Sequence, residues 1–560
     1  MKNVLCGIAL AVCSMTFWSG AARADDVCPR PAAQSEVQRP PDIYSQNGKI
    51  DVKLHYLTAV DDTGRTLFCF VTPDGVESPT LHVNPGDNIK IELTNLVPTP
   101  PGGRTMVVSN DQTVCGSATM NDASVNMHFH GTNTAPRCHS DEVIHTLVNS
   151  GESFTYNLRI PPDEPPGLYW YHPHVHGTSS GMLQGGATGA IEVEGIQNIQ
   201  PAVAGLPERY LVLRDQQNTG DASHGSGLPN VPNWDISVNY VPIDFPAYKP
   251  AVIAMQSGQP EFWRVVNAGA NTIMDLEVVY DGVPQPLQVV ALDGVPTGSK
   301  DGKHQGTIVT ETDAILPPSA RVEFIVAPPG PDVKKAQLIT LGIDGGAASD
   351  SNPRRPFANI TAATAPNRLP RMPEPNGGAR KMRFDDLANA PVTQHRDLFF
   401  SEYYQAFGHD TEKVDFFITV DGAKETLFDP NEPPAITTTR GAVEEWRIEN
   451  RTQELHEFHM HQIHFLVTAV NDKHIRKDRQ QLYDVFQVPY WSGHPNEPYP
   501  SITVKLDFRG PTVGDFVYHC HILDHEDAGM MAIIRVLPDK GARTKQHDAD
   551  ARTQARGRKT

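Results

Sequence analysis

The sequence predicts an all-β protein of three Greek-key β-sandwich domains. Three observations lead there: abundant turn residues, short apolar/polar alternations, and a strand pattern that recurs along the chain. Among 560 residues there are 44 glycines and 48 prolines, more punctuation than a helical protein carries. Hydrophobic residues make up 39 % and charged ones 20 %, the balance of a folded chain of several domains. The net charge of −19 argues against a nucleic-acid or anionic-membrane surface, which needs concentrated Lys and Arg.

The chain begins with a segment that reads as a signal peptide, residues 1–24. Lys2 precedes an apolar stretch from Val4 to Trp18, and Ala22-Arg23-Ala24 follows as a cleavage site. Export to the periplasm or beyond is the expectation, and no later segment is apolar enough for long enough to span a bilayer. The exported chain keeps Cys28, Cys69, Cys115, Cys138 and Cys520. An oxidising compartment permits disulfides, and the first four cysteines can form two bridges in three ways.

The repeat is visible in two elements. Pro79–Asn95, Gly258–Asn267 and Gly441–Asn450 each place a glycine turn before an alternating run that ends at Asn. Later in each copy comes a second run: Ser153–Pro161, Ala320–Ala327 and Ser501–Arg509. The three domains are expected at 44–198, 205–345 and 390–540. Residues 346–389, rich in Pro, Gly and Ala without periodicity, read as a linker. The basic polar tail, 541–560, reads as disordered.

The chemistry lies in the outer copies. The first carries His128-Phe-His130-Gly and His172-Pro-His174; the third carries His456-Glu-Phe-His459-Met-His461 and His519-Cys-His521, followed by His525 and Met530. Residues i and i+2 of a strand face the same side, about 7 Å apart. Each pair therefore aims two imidazoles into one cleft, and four pairs offer eight nitrogen ligands, a set suited to copper. Cys520 points to the face opposite His519 and His521. There it can join His456, His525 and a weak axial Met530, a His₂Cys arrangement typical of electron-transfer copper. Zinc is the second choice, since its sites seldom use eight histidines or a thioether.

These motifs, with Trp170-Tyr-His-Pro-His, resemble the three-domain multicopper oxidases, the bacterial laccase-like family, over nearly the whole exported chain. The resemblance implies cupredoxin-like domains and four coppers per chain. It places a type 1 copper on His456, Cys520, His525 and Met530, and a type 2 copper on His128 and His459. It places two type 3 coppers on His130, His172, His174, His461, His519 and His521. The second copy has no ligands and is expected to act as a spacer. Glu526 and Asp141 match acids that supply protons for oxygen reduction in this family. His176, His464 and Met531 lie beside motifs without belonging to them.

Two positions depart from the family: Glu457 stands where Pro is usual and Gln462 where Gly is usual. Glu457, beside a type 1 ligand, is expected to affect its potential or the local substrate surface. The implied partners are dioxygen and a small reducing substrate, a phenol or an aromatic amine, taken up at the His525 edge. The competing readings are a periplasmic cuprous-ion oxidase and a copper-free scaffold of the same fold. Only Met372 and Met382 lie in the long linker, which disfavours the first; intact ligands at every position disfavour the second.

Overall fold

The computed structural model describes residues 27–539, apart from 104, 109–113, 218–229, 365–367, 379 and 408–410. The signal segment and the basic tail lie outside these residues. The protein is almost entirely β: three sandwiches, each of two sheets closed over its own apolar core. Among the described residues no helix is long and apolar enough to cross a membrane.

The recurring runs are structurally equivalent, and they pair with one another. Asn88–Asn95 lies antiparallel to Ser153–Arg159, Glu261–Asn267 to Arg321–Val326, and Val443–Asn450 to Ser501–Asp507. In the first of these, Ile89, Ile91 and Leu93 point inward and the residues between them outward, the burial pattern of a strand with one core face. The second-copy strand is buried along its whole length, because neighbouring domains cover its other face.

The asparagine that ends each run has a physical reason. Asn95, Asn267 and Asn450 are completely buried. Each side-chain amide donates to two backbone carbonyls: Ala123 and Val148, Thr272 and Leu316, Glu454 and Val488. Each side-chain oxygen accepts the backbone N–H two residues on, at 2.9 to 3.0 Å. One residue thus stops the strand and satisfies the loop that leaves it.

The segment 346–389 is not merely a linker. Arg355–Ala363 forms a strand of the second sandwich, parallel to Ala251–Gln256 and antiparallel to Ala336–Leu341. Its proline conceals it in the sequence. Pro356 pairs with Ile339 where the register shifts, and a bulge is one of the few places a sheet tolerates proline. Phe357, Ala358 and Ile360 supply the buried face.

The four cysteines take one of the three open pairings, Cys28–Cys69 and Cys115–Cys138. The second bridge closes a loop that contains His128 and His130. Replacing both Cys115 and Cys138 by Ser should cost about 3 kcal/mol, the loop-closure value for such a span. Chemical denaturation of the two proteins under oxidising conditions checks this, and equal midpoints would contradict it.

Candidate metal centre

Strand register gathers the histidines. In the first sandwich Gly167–His172 pairs with His128–His130, setting His172 opposite His128 and Trp170 opposite His130. In the third, His456–Met460 pairs with Gly514–Cys520, setting His459 opposite His519 and Phe458 opposite Cys520. The two sheets bring these strands together, so that imidazoles of both domains share one buried space. His128 stacks on His461 at 3.9 Å and His130 on His459 at 4.2 Å between ring centres.

Eight histidines meet there: His128, His130, His172, His174, His459, His461, His519 and His521. All are buried. Overlapping triads, among them His128–His459–His461, His130–His459–His521 and His174–His461–His519, keep their donor atoms within 4.8 Å of one another. Oxygen acceptors fix the outer nitrogens. His128 Nδ1 donates to Asp141, His172 Nδ1 to the Pro173 carbonyl, His459 Nδ1 to the Asp484 carbonyl and His519 Nδ1 to the Cys520 carbonyl. His130 instead donates from Nε2 to the Asp484 carboxylate at 3.3 Å.

The inner nitrogens have no such partners. His128 Nε2, His130 Nδ1, His172 Nε2 and His459 Nε2 make no hydrogen bond among the described residues, and neither nitrogen of His521 does. His174 and His461 bring Nε2 to 3.3 and 3.1 Å from His519 Nε2. Burial and the neighbouring imidazoles hold His130, His174, His459, His461 and His521 well below the ordinary histidine value. Neutral imidazoles with converging lone pairs are a metal-binding set, and the donor chemistry fits copper.

The second donor set lies across the same strand. Cys520 Sγ is 3.7 Å from His456 Nδ1 and 3.7 Å from His525 Nδ1, and these two nitrogens are 3.1 Å apart. Met530 is fully buried in the same core cluster as Cys520, whereas Met531 packs in another, with Val143, Val517 and Ile533. Of the two methionines, Met530 is therefore the one in the core that contains Cys520. The Glu457 N–H donates to Cys520 Sγ at 3.3 Å, and burial pushes the thiol well above its ordinary value.

The expected acids have different surroundings. Asp141 accepts hydrogen bonds from His128 Nδ1, from the Phe129 N–H and from Gln462 Nε2. It orients His128, and in that position it is a fully partnered carboxylate. Glu526 is buried, without a hydrogen bond to either carboxyl oxygen among the described residues, 3.9 Å from His174 Nδ1. Burial drives its carboxyl well above the usual range. Gln462 adopts φ +65°, the left-handed region that favours glycine; its bond to Asp141 is the compensation. His464 donates to the Asp293 carbonyl at 2.8 Å, and His176 packs on Phe428.

Glu457 is completely buried, so it forms no part of a substrate surface. Two acids that the motifs do not contain stand at the outer edge of the Cys520 set instead. Glu402 Oε1 lies 3.4 Å from His456 Nε2, and Glu454 Oε1 lies 3.5 Å from His525 Nε2. Burial and the adjacent Glu402 push Glu454 up. Glu402 stays below its ordinary value against the cost of its own burial, through its contact with His456 and the hydrogen bond from the Tyr404 hydroxyl. A cavity of about 360 Å³ lined by Glu402, Tyr404, Thr452 and Trp491 opens beside them. Glu402 belongs to a strand far from any motif, so no sequence signal marks it.

The second sandwich is also more than a spacer. Arg321 makes a two-pronged ion pair with Asp484 at 2.8 and 2.5 Å, and Asp484 holds both His130 and His459. A Cβ on Gly131 would come within 2.6 Å of both partners in this pair. With φ +81° besides, that position in His-x-His-Gly admits only glycine.

Comparison with known proteins agrees with this geometry. Family models described as multicopper oxidase match residues 100–198 and 403–540. A multicopper oxidase of Staphylococcus aureus is 21 % identical over 472 residues, covering 82 % of this chain and 81 % of the relative. A rice protein, multicopper oxidase LPR1 homolog 1, is 22 % identical over 476 residues, covering 73 % and 74 %. The solved multicopper oxidase of Campylobacter jejuni, described as a metallo-oxidase, superposes with a TM-score of 0.63 at 19 % identity, covering 91 % of this chain and 96 % of that one.

The depressed histidines give a signed pH dependence for the metal-free protein. Their folded-state values lie below the ordinary 6.5 (about 3 for His519), so the unfolded chain binds more protons below pH 6.5. Stability should fall as the pH drops through that value, by about 1.4 kcal/mol per histidine per pH unit. Thermal melts of the metal-free chain at pH 7.5 and 5.5 test it; equal midpoints would show that the cluster does not hold neutral imidazoles.

Proposed function

We propose that this chain, an oxidoreductase of the multicopper oxidase family, couples one-electron oxidation of phenolic or aromatic amine donors to the reduction of dioxygen. His456, Cys520, His525 and Met530 would hold one copper, His128 and His459 a second, and the six remaining histidines of the cluster a pair. Copper bound there supplies the redox chemistry, taking single electrons from the donor and delivering four of them to dioxygen to give two waters. The observation that carries the reading is the partition of donors about Cys520. Its sulfur faces His456 and His525, while the residues on either side, His519 and His521, belong to the other set. Two covalent neighbours thus join the sites.

The remaining roles fall to the chain's own groups. Glu526, kept protonated by burial, stores a proton beside His174 and is placed to give it up during oxygen reduction. Asp141 and the Asp484 carbonyl hold His128 and His459 by their Nδ1 atoms, so that Nε2 points inward. At the outer edge, Glu402 accepts the proton or ammonium hydrogen of a donor resting at the His525 edge, since His456 is completely buried. The signal-like pattern of residues 1–24 supports export, to the periplasm or outside the cell.

A metal-ion oxidase is the second reading, and the Glu402–Glu454 pair also suits a cationic substrate. Soft Cu(I), however, prefers thioethers. Met372 and Met382, both in the segment where a methionine cluster would be sought, are 3 % and 1 % exposed. They are core residues, which favours the organic donors.

Copper analysis of the loaded protein should give about four ions per chain, with an intense blue absorption lost in Cys520→Ser. His174→Ala should keep the blue band and lose oxygen consumption. Loss of both together in a folded protein would contradict two separate sites.

Donor preference is tested on one copper-loaded sample with a phenol, an aromatic amine and Cu(I). Organic donors should turn over faster, and Glu402→Gln should lower kcat/KM for the amine about tenfold, the worth of one charge-assisted hydrogen bond. Strong Cu(I) oxidation with negligible phenol turnover would make the metal-ion reading the better one.

A further inference from the structure

Away from the copper donors, a different ligand cluster lies where the first two sandwiches meet. His82, on the strand Thr80–Val83, is 2 % exposed. Its Nε2 faces Asp42 at 3.0 Å, and Asp42 accepts a hydrogen bond from Arg39 at 2.9 Å. Nε2 is therefore the N–H that donates to Asp42. Nδ1 turns towards two further carboxylates, Glu194 at 2.9 Å and Glu192 at 3.4 Å. A bare Nδ1 lone pair aimed at two carboxylates is repulsive, so a positive charge has to sit on that side: a proton or a metal ion.

Charge balance and unpaired atoms discriminate between them. Five carboxylates crowd this seam: Asp42, Glu192, Glu194, Glu208 and Glu323. Arg264 pairs with Glu192, Glu208 and Glu323, and Arg39 with Asp42 and Glu208. With all five carboxylates ionised, an imidazolium at His82 leaves two negative charges unbalanced, and a divalent ion in place of the proton leaves one. Glu192 Oε2 has no hydrogen-bond partner among the described residues although its side chain is 2 % exposed, and Gln197 Oε1 is buried in the same condition. A histidine whose outer N–H is held by a carboxylate is the usual form of a metal-ligating histidine.

We propose that His82, Glu192 and Glu194 bind a divalent metal ion of the zinc class, at a site separate from the copper donors. One nitrogen and carboxylate oxygens, without sulfur, suit such an ion. A cavity of about 420 Å³, lined by His82, Glu194, Asn84 and Gln197, provides the entry, and Tyr44 stacks on the imidazole at 4.2 Å. Glu192 follows from the first sandwich and is tied to Arg264 of the second, so the bound ion pins the seam between them.

The test uses the full copper-loaded chain and zinc alone, by equilibrium dialysis followed by metal analysis. The wild-type protein should take up about one zinc per chain beyond its copper. Glu194→Gln and His82→Gln should bind it at least about tenfold more weakly, with copper content and blue absorption unchanged. Zinc should raise the melting temperature of the wild type only. Glu194 lies at the cavity edge with its side chain 24 % exposed, so that variant keeps the experiment readable if His82→Gln fails to fold. Equal zinc uptake by wild type and Glu194→Gln, or uptake only at the expense of the blue band, overturns the proposal and leaves His82 an imidazolium.

Discussion

The alternation of one β-strand governs the whole site. Along Gly514–Cys520 and into His521, successive side chains leave on opposite faces. His519 and His521 therefore enter the shared histidine cluster, while Cys520 enters the core of its own domain beside His456 and His525. No helix can deliver this, because residues i and i+1 on a helix point about 100° apart and i and i+2 lie nearly opposite. Everything else serves to keep that strand in register. His456–Met460 pairs with it on one side and Met531–Leu537 on the other, so a slip of one residue would exchange thiol for imidazole in both sites.

The second sandwich contributes no donor to either set, yet one of its arginines supports the cluster. Arg321 and Asp484 are both buried, and a buried ion pair is held chiefly because either charge alone costs about 3–5 kcal/mol. Asp484 cannot move without stranding Arg321, and it carries His130 by its carboxylate and His459 by its carbonyl. One ligand from the first sandwich and one from the third are thus fixed through the second. Of the three copies of one fold, the outer two carry the clustered donors and the middle one braces them.

The fold and the donor residues were legible in the sequence because both rest on short-range periodicity. Alternation marks strands, and His-x-His marks a strand face. What escaped depends on contacts between distant segments. Arg355–Ala363 was hidden by a proline, Pro356, that only its pairing partner explains. Glu402 and Glu454 gain meaning from the histidines they touch, 54 positions from Glu402 to His456 and 71 from Glu454 to His525. Glu457 misled for the reverse reason: adjacency to His456 in sequence suggested a surface role, whereas the alternation of a buried strand turns it inward. Asp484 and Arg321 belong to different domains, and no local pattern joins them.

The contrast between two kinds of buried polar group clarifies what the cluster is for. Asn95, Asn267 and Asn450 are as buried as any histidine here, and each makes a full set of hydrogen bonds. At these three strand ends the chain satisfies every polar atom of a buried side chain. Across the histidine cluster it satisfies only one nitrogen of His128, His130, His172 and His459, and aims the other at its neighbours. An unsatisfied buried polar atom costs about 1–3 kcal/mol, so this arrangement weakens the metal-free fold by an amount comparable with the stability of a whole domain. Such a cost is consistent with a group that binds there and returns it, since metal-binding free energy adds directly to folding free energy. The unpaired nitrogens are distributed over two sandwiches, so a group that satisfied them would also fasten the first domain to the third.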